Sequence, residues 1–559
     1  MCKNIEIAVH IKYTEDMKRY FYVKSGEKSD MKSEWTDRLT LAQAADAAGE
    51  TGAMCALVDG KLEALGARVP PGACVQFLKP QQSEHASRVF LRGVTFLLHC
   101  AVQALFPQTP LLVDHVLGGG VFCRMDGMTK DDISALEKKI HSYIDADKPF
   151  VHKHVDVEKA HDTLAEQGRH ELVRLLKFRP FDYFELYEFD GRQNYFHGIM
   201  PPSAGCLKGA TLRAYPGGFI LRYPAPYRTP GPDIAHQSKF AAVFAQAELW
   251  AQEMSAAYIA DINECYLRGE IEDLIAVNEA LHEKRIADIA QMIAQSPGVR
   301  VVLIAGPSSS GKTSFAKRLA VHLRVLGYQC MPISIDDYYK NRDSIARDAN
   351  GDLDLENLEA LDVRKLGEDL EALLGGQTAY LPEFDFVAGK RKHETRPLRI
   401  DDELLLIEGI HGLNDELTRG IADDKKFKIF ISPLTALNFD TLSTVLPEDL
   451  RLLRRLARDK RTRGASFAET FELWESVRSG EYKYIFPYQE TADVMFNSTL
   501  IYEPLVLKKY CYDDLRTIEA HEESYPQAQS LLKFLNYFLS MNDERAIPVN
   551  SILREFIGE

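Results

Sequence analysis

Eight consecutive residues, Gly306-Pro307-Ser308-Ser309-Ser310-Gly311-Lys312-Thr313, carry the spacing G-x-x-x-x-G-K-T. The two glycines let the backbone curl until successive N–H groups point at phosphate oxygens. Lys312 adds a charge toward the β- and γ-phosphates, and the Thr313 hydroxyl is placed to hold Mg²⁺. The apolar run 299–305 before the loop has the length of one buried parallel strand. Residues 314–323 after it read as a helix whose positive end faces the same anion. Gly306 through Ser314 is therefore the expected binding site of a nucleoside triphosphate.

Three further groups complete a chemistry. Residues 327–335 give a turn and a second strand ending in Asp336-Asp337-Tyr338-Tyr339. Residues at the carboxyl end of a parallel strand face the ligand crevice. Two acids there, beside phosphate, need a cation or a substrate hydroxyl to compensate them. Asp336 is expected to accept a proton from an attacking hydroxyl, whereas Asp337 suits a helix N-cap. A third strand, 404–407, ends in Glu408-Gly409, which places Glu408 with Thr313 in the Mg²⁺ shell. Arg451, Arg454, Arg455 and Arg458 fall at i, i+3, i+4 and i+7 and share one helix face. In a chain of net charge -15 that face is read as a lid over transferring phosphoryl charge rather than a solvated stripe.

The elements that must hold these groups belong to a long chain. At 559 residues it needs three or more domains. Its 45% hydrophobic and 27% charged residues are ordinary for a globular protein. The negative charge argues against broad nonspecific nucleic-acid binding. Residues 1–6 lack the apolar core of a signal peptide. Arg92 and His99 interrupt the apolar run 90–106, so no membrane span is expected. Nine scattered cysteines without C-x-x-C pairing imply reduced thiols and a cytoplasmic chain.

Five segments follow from the patterning. Residues 1–80 contain a strand at 5–11, a helix at 41–48, a hairpin turning at Asp59-Gly60 and, after Pro70-Pro71-Gly72, a strand at 75–78. Residues 81–230 hold a long helix at 90–106, the glycines Gly118-Gly119-Gly120 and a charged helix at 131–144. Residues 231–297 form a helical connector, with helices at 241–266 and 271–294. There Asp273, Glu279, Glu283 and Asp288 read as a solvated face. The phosphate-loop unit spans 298–510. The tail, 511–559, carries a helix at 528–538 and reads as packing without chemistry.

These segments resemble known families. Val58-Asp59-Gly60-Lys61-Leu62 and Gly72…Val75-Gln76-Phe77-Leu78 make 1–80 similar to the ubiquitin-like TGS module, a β-grasp-like fold, of threonyl-tRNA synthetases. The helix, the stretch 111–126 and 200–210 make 81–230 similar to the second additional, editing domain of threonyl- and alanyl-tRNA synthetases. Arg92, Phe96, Phe196 and Met200 stand where that domain carries its metal-binding histidines and cysteine, and His99, His197 and Cys206 form no one-turn pair. No zinc or deacylation site is expected there.

From 298 to 510 the chain resembles the uridine kinase and phosphoribulokinase family. The likeness rests on the phosphate loop, Ser334 to Tyr339, Pro382-Glu383-Phe384-Asp385-Phe386, Ile407-Glu408-Gly409-Ile410, and Asp449-Leu450-Arg451 through Arg458-Asp459. It implies a parallel sheet with helices on both faces and an ATP- and Mg²⁺-dependent kinase of the long bacterial uridine kinase group. It also implies that Asp336, Tyr339, Glu359 and Phe384 meet the acceptor, with Lys312 and the four arginines acting on the phosphates. Members that take uridine and cytidine have a tyrosine where Phe384 stands and a histidine near Gly389, so the acceptor stays open. Uridine or cytidine at its 5′-hydroxyl leads. A phosphorylated sugar, or an RNA- or ribosome-associated nucleotide switch working through the N-terminal modules, is the alternative. Self-association is left open.

Overall fold

The computed structural model describes residues 9–13, 19–25, 28–35, 39–70, 72–117, 119–226, 237–347 and 353–558. Residues 5–8 of the expected first strand, Pro71, Gly118 and the boundary at 230–231 lie outside these.

Five parallel strands make the central sheet of the C-terminal half: β1 (Val301–Ala305), β2 (Cys330–Ser334), β3 (Leu404–Glu408), β4 (Lys426–Ser432) and β5 (Val494–Asn497). Their order is β2-β3-β1-β4-β5, so the first strand lies between the third and fourth. All five residues of β1 are buried, as a strand covered on both faces requires. The reversal of strand order beside β1 opens a crevice at the carboxyl ends. Helix α1 (Lys312–Val325) leaves that crevice from Gly311. Helices α2 (Val363–Leu374), α3 (Pro447–Arg463) and α4 (Phe467–Gly480) follow. Helix α3 begins with Pro447, where a missing N–H costs nothing, and ends at Gly464 in the left-handed region.

The N-terminal third is built of antiparallel strands. Val9–Tyr13, Arg19–Ser25 and Lys28–Trp35 form one sheet; the last two are strands the patterning did not predict. Helix Leu41–Ala48 follows, opened by a reciprocal Thr40–Gln43 capping box. A second sheet runs in the order Lys61–Ala64, Cys55–Val58, Val75–Leu78, with the hairpin at Asp59-Gly60 as expected. Between 84 and 222, the helix Glu84–Leu105 packs with Lys130–Ala146 against a four-stranded sheet. It is the one helix among the described residues long and apolar enough to cross a membrane. Its buried residues include Val89, Phe90, Phe96 and Leu97, so it is the axis of a domain core.

The connector differs from expectation in two ways. Its first helix breaks into Ser238–Glu253 and Ile259–Leu267, with Ser255 at φ 50° between them. The third, Ile271–Ala294, withdraws Glu279 from water and leaves Glu283 half-exposed but paired. Glu279 is buried and accepts from Tyr502 at 2.8 Å and from Arg318 at 3.5 Å; Glu283 lies 2.9 Å from the same guanidinium. A periodicity count cannot see this, because Arg318 is on α1 and Tyr502 is more than 200 residues away. One apolar cluster joins Val302, Ile304 and Phe315 to Ile286 and Ile289 of the connector, to Leu172 and Phe184 upstream, and to Leu531 and Phe556 of the tail. Each such side chain contributes about 1.5–3 kcal/mol on burial.

Arg318→Met is predicted to destabilise the C-terminal half by about 3–5 kcal/mol, because Glu279 would stay buried without its cation. Urea unfolding is the check, and a loss below about 1 kcal/mol contradicts the pairing.

Candidate active site

The phosphate loop lies at the carboxyl end of β1, and Gly311 takes φ 87° to turn it into α1, a backbone that a Cβ would strain. The Lys312 ammonium arches back over the loop and donates to Gly306 O at 3.0 Å and Pro307 O at 3.2 Å. Thr313 Oγ1 donates to Glu408 Oε1 at 3.3 Å, and Ser334 Oγ reaches the same oxygen at 3.1 Å. Burial, with Asp336 nearby, pushes the Glu408 carboxyl up to about 7. A cation would relieve that cost, and one carboxylate with two hydroxyls is the hard oxygen set that Mg²⁺ takes alongside its waters. The residues present therefore fit the ion.

Asp336 and Asp337 follow β2 in a single 3-10 turn, Ile335–Tyr338. They divide the work through their partners. Asp337 accepts the Phe384 amide at 3.2 Å, so it ties the acceptor wall rather than capping a long helix. The Asp336 carboxylate accepts no hydrogen bond among the described residues and is left for a ligand. Its charge is felt by Glu408, Glu356, Tyr339 and Arg463. Tyr339 donates to Leu355 O at 3.0 Å, and its ring centroid lies 5.9 Å from that of Phe384. Phe384 in turn packs on Phe386, and the Arg463 guanidinium covers the Phe386 ring. Glu359 sits apart: its side chain is exposed, and Lys340 is held by its main-chain oxygen at 2.8 Å.

The arginine helix does face the loop, but as a packed wall. Arg451 Nε donates to Ser308 O at 3.0 Å and Arg455 Nη1 to Ser308 Oγ at 3.0 Å. Arg454 is fully buried, donates to Ser309 O at 3.4 Å, and is neutralised by Glu503 at 2.6 Å. Arg451 pairs with the buried Glu481. Arg458 is turned to Asp459, 2.7 Å away, and makes no contact with the loop. Arg451 and Arg454 thus hold the loop from inside the protein instead of closing over it from solvent.

Three carboxylates here escaped the sequence reading. Glu481 opens a one-turn π-helix, Glu481–Ile485, that continues α4, the kind of irregularity that re-aims a side chain at a functional site. Glu356 is buried, and desolvation with the nearby Glu481 and Asp336 raises its carboxyl to about 7 against the opposing charge of Arg455. It fits only because residue 480 is glycine: a Cβ there would lie 2.2 Å from the Glu356 Cβ. Glu555, in the tail read as inert, accepts the Ser314 amide at 3.0 Å at the N-terminus of α1. Spacing gave no signal for their place at the site, since Arg451, Arg455 and Ser314, which bring them there, are remote in sequence. Upstream, Phe96 and Phe196 sit in an aromatic cluster, Met200 is buried, and Arg92 donates to Ile199 O. His99 is half-buried on the helix Glu84–Leu105 and His197 stacks on Phe439. Among the described residues no group of three His, Cys, Asp or Glu side chains is arranged as a metal site.

A parallel sheet of this order, with a phosphate loop after its central strand and acids at the ends of β2 and β3, defines a phosphate-loop phosphotransferase. Residues 301–501 match the Phosphoribulokinase / Uridine kinase family. The uridine kinase of Proteus mirabilis (strain HI4320) is 30% identical over 198 residues, 35% of this chain and 85% of that protein. That of Borrelia duttonii (strain Ly) is 29% identical over the same shares. A solved D-glycerate 3-kinase from Cryptococcus neoformans var. grubii aligns at TM-score 0.28 and 13% identity, covering 39% of this chain and 92% of that one. The chain belongs to the phosphoribulokinase and uridine kinase family.

Lys312→Ala and Thr313→Ala are both expected to impair phosphoryl transfer, by separate routes. Raised Mg²⁺ should restore Thr313→Ala in part and Lys312→Ala hardly at all, since only Thr313 supplies an oxygen to the ion; equal rescue contradicts the division. Glu555→Gln should tighten ATP binding about two- to fivefold, because a carboxylate at the anion-binding end of α1 repels phosphate by about 0.3–1 kcal/mol. Titration of the full chain with ATP measures it, and unchanged or weaker binding rejects that role.

Proposed function

We propose that the protein transfers the γ-phosphoryl group of ATP to the 5′-hydroxyl of a nucleoside, uridine or cytidine. The observation that carries this reading is the carboxylate of Asp336. It is unpartnered among the described residues, lies at the end of β2, and shares one electrostatic site with Lys312 and Glu408. In the proposed step the nucleoside oxygen forms a bond to the γ-phosphorus while the bond to the β–γ bridging oxygen breaks. The hydroxyl proton passes to Asp336 and ADP leaves. Lys312 and the amides of Gly311, Lys312 and Thr313 at the start of α1 hold the phosphates. Arg455 is the loop-facing arginine nearest to free, its one ion pair among the described residues being with Asp459 at 3.3 Å, and offers charge to the transferring group. Thr313, Ser334 and Glu408 would hold Mg²⁺, which supplies charge neutralisation on the β- and γ-oxygens.

Tyr339, Phe384, Phe386 and Arg463 wall the acceptor side, and Glu359 is assigned to its rim as a ligand for sugar hydroxyls. Apolar Phe384 at the wall suits a planar base held by packing. The N-terminal units, with the strand–turn–strand at Asp59-Gly60 and the long helix Glu84–Leu105, support a TGS-like and editing-domain-like origin with a docking or regulatory role.

ADP release with uridine, cytidine, purine nucleosides, ribulose 5-phosphate and other sugars offered singly tests the acceptor. Uridine or cytidine should give the highest kcat/KM; a sugar phosphate in that place replaces this reading with the sugar-kinase one. Asp336→Asn is expected to lower kcat by about a hundredfold or more with little change in ATP affinity. Turnover close to the parent's would remove Asp336 from the mechanism.

A further inference from the structure

A cavity of about 260 Å³ lies where the helix Glu84–Leu105 meets the phosphate-loop half of the chain and the helix Tyr525–Leu535. Its walls are apolar, with Phe439, Leu442 and Phe534 from one side and Leu91 from the other. Its charges are lopsided. Lys61, Arg88, Arg92 and Lys533 line it, against Glu63 and Asp449 alone. Asp449 is already committed to Arg88, at 2.7 Å.

Arg92 and Lys533 are the unusual pair. Arg92 spends its Nε on Ile199 O at 2.9 Å, and neither terminal nitrogen has a partner among the described residues. The guanidinium lies against Gly198, where a Cβ would stand 2.9 Å from its central carbon. Any other residue at 198 would push it out of place. The Lys533 amine likewise has no partner among the described residues. Burial, with Arg88 alongside, lowers Arg92 to about 10; Lys533, exposed at the cavity mouth, is lowered by desolvation and by Arg92, against the opposing charges of Glu185 and Glu63. The same positive field, with burial, keeps His85 and His197 neutral, at about 4 and 3. Four cations against two carboxylates give the cavity a net positive field that an anion would offset.

We propose that this cavity binds a small organic anion, its oxyanion head on Arg92 and Lys533 and its flat apolar body against the Phe439 and Phe534 rings. The site is separate from the phosphate loop. Arg88 connects it to the catalytic half, because it pairs with Asp449, two residues before Arg451 on α3. A ligand there sits beside the joint that fixes the arginine helix.

The head is a phosphate or a carboxylate, and two probes separate them: phenyl phosphate and benzoate, titrated calorimetrically into the full chain. Lys312→Ala is used as the background so that the phosphate loop does not capture the phosphate probe. At least one probe is expected to bind, and the one that binds names the head. Arg92→Met and Lys533→Met should each weaken it about tenfold or more, the loss of one charge-assisted hydrogen bond. Lys533 makes no structural bond, so its variant stays informative if Arg92→Met fails to fold. Failure of both probes at millimolar concentration, or binding that survives Lys533→Met and any folded Arg92→Met unchanged, overturns the proposal.

Discussion

Two buried guanidinium groups set the shape of the phosphate loop. Arg451 and Arg454 have lost almost all contact with water, and such ions are tolerable only with a counter-charge and fully used donors. Glu481 and Glu503 supply the charge, and the remaining donors go to the carbonyls of Ser308 and Ser309 and to Ser498. The loop's carbonyls are thereby anchored, those of Ser308 and Ser309 by the arginines and those of Gly306 and Pro307 by Lys312. A loop held this way reaches the transition state with little reorganisation, which is where preorganised dipoles gain their effect.

That anchoring extends through the molecule. Helix α3 carries the two arginines, and its first turn is held from outside the phosphotransferase unit by Arg88 on Asp449. Arg478, beside Glu481, reaches Glu84 on the same N-terminal helix at 3.4 Å. Arg169 crosses from the 84–222 unit to the buried Asp440 at 2.9 Å. The tail closes the other side, with Ile552 against Gly311 and the Phe556 ring under Arg454. The additional segments are thus continuous with the packing that positions the loop, which is why a relative matching only about 200 residues accounts for just part of this site.

The loop, its strand and helix, and the acids ending β2 and β3 were legible because each is a local pattern with one physical cause. The arginine spacing predicted a shared face correctly. It could not reveal that the face is interior, since Glu481 and Glu503 lie 30 and 49 residues from their partners. The same blindness placed the buried Glu279 on a solvated stripe and made the tail look inert. Charged residues at helical spacing carry no mark of whether a distant cation will bury them. The break at Ser255 was hidden as well, because no glycine or proline announces it.

The account stands most directly on where the γ-phosphorus goes. Phosphorus NMR of the full chain with ATP, Mg²⁺ and uridine should show a phosphomonoester signal coincident with uridine 5′-monophosphate. It should grow one-for-one with ADP and be absent without uridine. ADP appearing only with inorganic phosphate, at a rate indifferent to uridine, would contradict it.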